Sequence, residues 1–163
     1  MPGGGKSTVG KEVARQLGCD FVDCDKEIEH RSGATIAALF ARDGEAAFRE
    51  LEATTLAAVI EEGVAVIATG GGAVLRSTNR DLLRQRTRCV YLRASPDFLW
   101  RRLRRDRRRP LLQVPDPQRR LQELSAEREP LYLETARIVV DVEGLAFDRV
   151  VDSILAHLAS EAA

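Results

Sequence analysis

Short apolar runs alternate along this chain with longer stretches of helical periodicity. That alternation restricts the available folds more than any other feature. Val64-Ala65-Val66-Ile67-Ala68 is wholly apolar, and Cys89-Val90-Tyr91-Leu92 is nearly so; this is the pattern of strands buried on both faces of a parallel sheet. Phe21-Val22, ending at Asp23, and Ile138-Val139-Val140-Asp141 read as two more strands. Helices fill the intervals. Val9, Val13 and Leu17 recur at i, i+4 and i+8 ahead of Gly18, which predicts a helix over residues 6–17. Residues 45–62 carry Phe48, Leu51, Leu56, Val59 and Ile60 on one side and stop at Gly63. Residues 79–85 form a shorter helix, and Ser95-Pro96 supplies an N-cap and a first-turn proline for another that reaches about residue 105. Residues 117–127 and 147–158 provide the last two. Strands that alternate with helices pair in parallel through crossovers, and ligands of such sheets gather at the carboxyl ends of the strands.

The chain has 163 residues, a length that favours a single domain, 1–163, with a core of its own. Lys+Arg and Asp+Glu balance at 25 each, so no basic excess marks a nucleic-acid binder. No apolar run reaches the roughly 18 residues that span a bilayer, and no signal peptide opens the chain. A cytoplasmic protein without membrane contact is expected. Cys19, Cys24 and Cys89 are odd in number and lack CxxC spacing, which points away from a disulfide frame or a zinc site. The basic residues are 22 arginines and three lysines, with seven of the arginines between Arg101 and Arg109.

Gly3-Gly4-Gly5-Lys6-Ser7-Thr8 is the end of a P-loop and opens a helix. Its glycines let backbone N–H groups turn onto phosphate oxygens, and the helix N-terminus adds its positive dipole end. Lys6 reaches the outer phosphates, and Ser7 can ligate magnesium. The full pattern places another glycine five residues before Gly5, ahead of Met1, and the strand that should precede it is not in the sequence. The expected fold is therefore a three-layer P-loop α/β fold with four readable strands, without the strand that precedes a P-loop.

Three further groups belong at the ligand end of such a sheet. Asp23-Cys24-Asp25 closes the first strand; strand alternation would put the two aspartates on one side and Cys24 on the other. Two carboxylates beside a P-loop can divide the work, one toward Mg²⁺ and one toward a hydroxyl proton. Gly70-Gly71-Gly72 follows the strand 64–68, either as a flexible turn or as backbone that must touch a small ligand. Arg49 and Glu52 read by themselves as an i,i+3 surface ion pair. Arg109, held at a loop edge by Pro110, is a candidate to stabilise charge on a transferred phosphoryl group. His30 and His157 have no partners at metal spacing and read as surface or packing residues.

Taken together, these residues resemble the shikimate kinases, small P-loop kinases of the nucleoside-monophosphate-kinase type. The motifs run in the family's order: GGGKST at 3–8, DCD at 23–25, FRELE at 48–52, TGGG at 69–72, RPLL at 109–112 and EREPLY at 127–132. The resemblance implies Mg²⁺-dependent transfer of the γ-phosphoryl group of ATP to the 3-hydroxyl of shikimate. It implies ATP contacts from Gly3, Gly4, Gly5, Lys6, Ser7, Thr8 and Arg109, with Arg102 stacked on adenine. Asp25, Arg49, Gly70, Gly71, Gly72 and Arg128 would hold shikimate, with Asp25 at the reacting hydroxyl and the two arginines on the carboxylate. Ser7 would bind Mg²⁺ directly and Asp23 through water, and residues 106–117 would form a lid. A monomer is expected, with ATP and shikimate as its only partners. The rival readings are a related sugar kinase such as a gluconate kinase, an inactive remnant that at most binds nucleotide, and a nucleic-acid module built on the arginine run. Lys6→Ala removes the charge on the outer phosphates, so transfer of phosphate from ATP is expected to fall below detection while the circular dichroism spectrum stays that of the parent.

Overall fold

The computed structural model describes residues 3–104 and 114–160. They fall into two compact units, Lys6–Thr87 and Met1–Gly5 with Arg88–Ala163. The first unit holds α1 (Lys6–Leu17), β1 (Phe21–Asp23), α2 (Cys24–Ser32), α3 (Ile36–Glu61), β2 (Val66–Ala68), a 3₁₀ turn (Ala73–Leu75) and α4 (Ser77–Arg86). β1 and β2 pair in parallel, with Phe21 opposite Val66, Val22 opposite Ile67 and Asp23 opposite Ala68. A parallel pair needs a long crossover, which α2 and α3 provide. α1 packs against both strands. Gly10 makes the approach close, because a methyl group there would lie 2.7 Å from the Phe21 ring.

Two helical segments of this unit went unread in the sequence. α2 begins one residue after β1, where strand periodicity suggested more strand. Asp23 ends the strand and caps the helix, with its Oδ1 accepting from the N–H groups of Asp25 (3.1 Å) and Lys26 (3.4 Å). Asp25 therefore sits in the first turn of a helix, and the alternation argument for its direction does not apply. The helix predicted at 45–62 starts earlier, at Ile36, where Thr35 Oγ1 caps it by accepting from Ala38 N. Gly44 breaks the run with φ 79° and ψ 175°, a conformation only glycine adopts at low cost. The segment before it folds because Leu39 is buried with Ile28 and Phe48, and Phe40 packs against them.

The second unit contains β3 (Val90–Arg93), α5 (Pro96–Leu103), α6 (Pro117–Thr135), β4 (Ile138–Asp141) and α7 (Phe147–Ser160). β3 and β4 are again parallel, from Val90 opposite Ile138 to Arg93 opposite Asp141. All four predicted strands are present, hydrogen-bonded as two pairs. Ser95 caps α5 as predicted, accepting from Phe98 N at 3.2 Å. α6 runs eight residues past its predicted end and carries Pro130 inside it. A proline there forfeits one helical hydrogen bond, but burial of Leu121, Leu124, Arg128 and Tyr132 on one face holds the helix together. Tyr132 stacks on Tyr91 of β3 with ring centroids 4.9 Å apart.

Cys19, Cys24 and Cys89 are free thiols. Burial, reinforced by the neighbouring Asp25 and Asp23, pushes Cys24 up to about 12, and burial alone pushes Cys89 up to about 11. Both thiols are therefore protonated and inert at neutral pH. Among the described residues, no helix is long and apolar enough to cross a membrane. Cys24, Leu56, Ala73 and Leu83 form one core cluster of the first unit. Leu56 is 1% exposed, so Leu56→Ala should cost about 2–5 kcal/mol in urea denaturation. Leu17, half exposed on α1, should tolerate the same change within about 0.5 kcal/mol.

Candidate active site

The glycine-rich start leads directly into α1. Gly3 and Gly5 take positive φ (78° and 82°), Gly4 is buried, and Lys6 is the first residue of the helix. Gly3 fits against Leu103 within its unit; a methyl group there would lie 2.9 Å from Leu103 Cγ. Ser7 and Thr8 occupy the first turn of α1, with Thr8 exposed. Ser7 Oγ donates a hydrogen bond to Asp23 Oδ2, so a hydroxyl from α1 and a carboxylate from the end of β1 meet. The other oxygen of Asp23 is occupied by the N-terminus of α2, which fixes the carboxylate's direction. Among the described residues, no group of three or more His, Cys, Asp or Glu could hold a metal ion. The Ser7–Asp23 pair is instead a set of two hard oxygen donors, the partial set that Mg²⁺ accepts when phosphates and water complete its shell.

A second cluster in the same unit surrounds the glycine triplet. Arg49 and Glu52 lie on α3 after the Gly44 break. They are not a surface pair: Glu52 is buried, with 2% side-chain exposure, and Arg49 is largely covered, with 12%. Arg49 Nη1 donates to Glu52 at 2.8 Å and Nη2 to Glu45 at 2.9 Å. The guanidinium carbon lies 5.3 Å from the Phe48 ring centroid and 5.9 Å from that of Phe40. Burial by itself pulls the Arg49 pKa down. The charge and hydrogen bond of Glu52, followed by those of Glu45, outweigh it and leave Arg49 above its ordinary value. Its Nε–H is buried with no hydrogen-bond partner among the described residues.

The glycine turn lies against this arginine. A methyl group at Gly72 would run into the Arg49 guanidinium, and one at Gly70 would lie 2.8 Å from Asp25 Oδ1 and closer to Glu52 Oε1. The structure thus brings Asp25, Arg49, Gly70 and Gly72 close together, with Glu52 beside them. The turn is fastened from behind. Asn79 Nδ2 donates to Ala73 O at 3.0 Å, Arg80 Nη1 donates to Val74 O at 3.0 Å, and Leu75 N donates to Gly72 O at 3.0 Å. Sequence reasoning missed Asn79 and the burial of Glu52. The helical register that places Glu52 one turn from Arg49 was the available signal, but only packing shows which face is buried.

The remaining candidates belong to the other unit. Arg128 is 3% exposed on α6. Arg102 is exposed in the last turn of α5, its guanidinium 5.6 Å from the Phe98 ring centroid. Glu143, which the sequence reading did not single out, accepts from Ser95 N and from Arg101, both at 3.3 Å. Arg109 and residues 106–113 of the expected lid lie outside the described residues.

The family model described as "Shikimate kinase" matches residues 2–159. The chain belongs to the shikimate kinase family. It is similar to the shikimate kinase of Paracidovorax citrulli, at 51% identity over 88% of this chain and 79% of that relative. It is also similar to the shikimate kinase of Burkholderia pseudomallei strain 1710b, at 47% identity over 97% of this chain and 86% of that relative. Among solved structures, the shikimate kinase from Acinetobacter baumannii in complex with shikimate matches with a TM-score of 0.94 and 40% identity, over 98% of this chain and 90% of that one. Membership of the family makes the chain an ATP-dependent kinase, a transferase with the family's α/β P-loop fold. Glu52→Gln keeps the side chain's size but removes the charge that compensates buried Arg49. A loss of about 3 kcal/mol in urea denaturation is expected, whereas Glu45→Gln, at the exposed end of the same guanidinium, should cost under about 1 kcal/mol.

Proposed function

We propose that this kinase transfers the γ-phosphoryl group of ATP to the 3-hydroxyl of shikimate, giving shikimate 3-phosphate for chorismate and aromatic amino acid synthesis. The observation that carries the reading is the Arg49 guanidinium, its Nε–H buried without a hydrogen-bond partner among the described residues, set beside Asp25 across a glycine turn. A carboxylated polyol needs such a pair: a planar guanidinium for the carboxylate and a carboxylate for the hydroxyl that reacts. The family match and the shikimate complex of the Acinetobacter relative support the same acceptor, and they favour it over gluconate.

In this reading Asp25 accepts the hydroxyl proton as the oxygen attacks the γ-phosphorus in line, and the Gly70–Gly72 backbone lies against the ring. Arg49 holds the carboxylate, a role that the resemblance extends to Arg128. The N–H groups of Gly3, Gly4 and Gly5, the start of α1 and Lys6 receive the phosphates, with Thr8 at the same helix end. Charge stabilisation and positioning then account for most of the acceleration. Ser7 and Asp23 are the residues that would hold Mg²⁺, which neutralises charge on the phosphate oxygens when bound. Arg102 is assigned to the adenine and Arg109 to the transferred group. Residues 106–117 are assigned to a lid that excludes water, the competing acceptor. Three free thiols and the use of ATP suit a reducing, ATP-containing compartment, the cytoplasm, and we assign the active form as a monomer.

The test is ³¹P NMR of the purified chain with ATP, Mg²⁺ and either shikimate or gluconate. A phosphomonoester formed only with shikimate is expected; folded protein without turnover would instead favour the remnant. Arg49→Ala should raise the KM for shikimate by about 100-fold or more while the KM for ATP moves less than about threefold, consistent with loss of a charge-assisted bidentate contact. Asp25→Asn should lower kcat by about 10²–10⁴-fold, the usual contribution of a general base, with the far-ultraviolet spectrum unchanged.

A further inference from the structure

We propose that Gly72 is the seat of the Arg49 guanidinium: its missing side chain makes room for the arginine itself, so that Gly72 is a positioning residue for the acceptor's carboxylate. The inference rests on the acceptor reading given above and deepens it. A glycine can be required for its backbone conformation, for contact with a ligand, or for contact with the protein's own side chains. Conformation is not the reason here. Gly72 has φ −97° and ψ −5°, values open to any residue near the α region. Space is the reason. A methyl group at Gly72 would lie 2.6 Å from Arg49 Nη2 and nearer still to its Cζ and Nη1.

Arg49 can give way only by losing contacts. Its two terminal nitrogens are tied to Glu52 and Glu45 at 2.8 and 2.9 Å, and the rings of Phe48 and Phe40 lie beside the guanidinium carbon. Gly72 is itself held, since its carbonyl accepts from Leu75 N at 3.0 Å within the turn fastened by Asn79 and Arg80. A methyl group inserted between two fixed elements must displace the softer one, the long arginine side chain. An arginine moved by about 1 Å no longer meets a planar carboxylate in bidentate geometry, and such misplacement costs rate and binding steeply.

The experiment compares Gly72→Ala, Arg49→Ala and the double variant in the full chain, with shikimate and ATP as the two varied substrates. Gly72→Ala should raise the KM for shikimate about ten- to hundredfold, the loss expected for a charge-assisted contact. The KM for ATP should change by less than about threefold. The double variant should be no worse than Arg49→Ala, because the group that clashed is gone. Equal rises in both KM values, an unchanged KM for shikimate, or multiplied costs in the double variant would overturn the seat. Should Gly72→Ala fail to fold, Arg49→Ala in the same chain should restore folding; failure of the double variant to fold would equally overturn it. An independent readout needs no substrate. In protein labelled with ¹⁵N-arginine, the buried Arg49 Nε–H should exchange slowly in the parent and fast in Gly72→Ala, and equal exchange would count against the seat. If the parent does not phosphorylate shikimate while the Arg49 exchange still responds to Gly72→Ala, the acceptor reading fails and the seat stands.

Discussion

The ion pair between largely covered Arg49 and buried Glu52 is the constraint on which the proposed acceptor site depends. A guanidinium with 12% side-chain exposure is stable only if its charge is met at close range, and Glu52, Glu45 and two aromatic rings meet it. Once that charge is fixed, its surroundings follow. Helix α3 must keep Phe48, Arg49 and Glu52 on one buried side. The turn after β2 must offer backbone without side chains, and that turn must be anchored, which Asn79 and Arg80 do through its carbonyl groups. Two glycines there are thus accounted for by packing against Asp25, Glu52 and Arg49, and not by backbone dihedrals.

The proposed phosphate side follows a different logic. Within the first unit it rests on a helix start and one strand end. Asp23 links the two sides of the first unit by serving three groups. One oxygen caps α2 and thereby sets the direction of Asp25, while the other faces Ser7 at the start of α1. A single carboxylate at the end of β1 therefore ties the start of α1 to the helix that carries the proposed base. The family's P-loop chemistry needs these groups in fixed register, because positioning and charge provide most of the catalysis in phosphoryl transfer.

Much of this was legible in the residues. GGGKST, DCD, FRELE and TGGG stand in order, and the period-breaking apolar runs located all four strands. The misreadings have physical causes. Asp23-Cys24-Asp25 looks extended because strand and helix meet there without a loop, and a capping aspartate is also a common strand end. The 36–43 segment was passed over because Gly44 separates it from the longer periodic run, although Thr35, Leu39 and Phe40 stood at capping and core spacing. α6 runs past its predicted end through Pro130, against the local rule that proline breaks helices, because burial of Tyr132 and its stack on Tyr91 hold the last turns.

By itself, the sequence determined the class of fold and the family, because glycine spacing, apolar periodicity and motif order are properties of the chain read in line. Only the tertiary structure decided that Glu52 is buried under a largely covered Arg49, so that the two are not a surface pair. It alone showed that Asp25 belongs to a helix and that Gly70 and Gly72 lie under charged side chains from α2 and α3. Burial and close approach between segments distant in sequence depend on how helices pack, and neither spacing nor propensity encodes a distance across that packing.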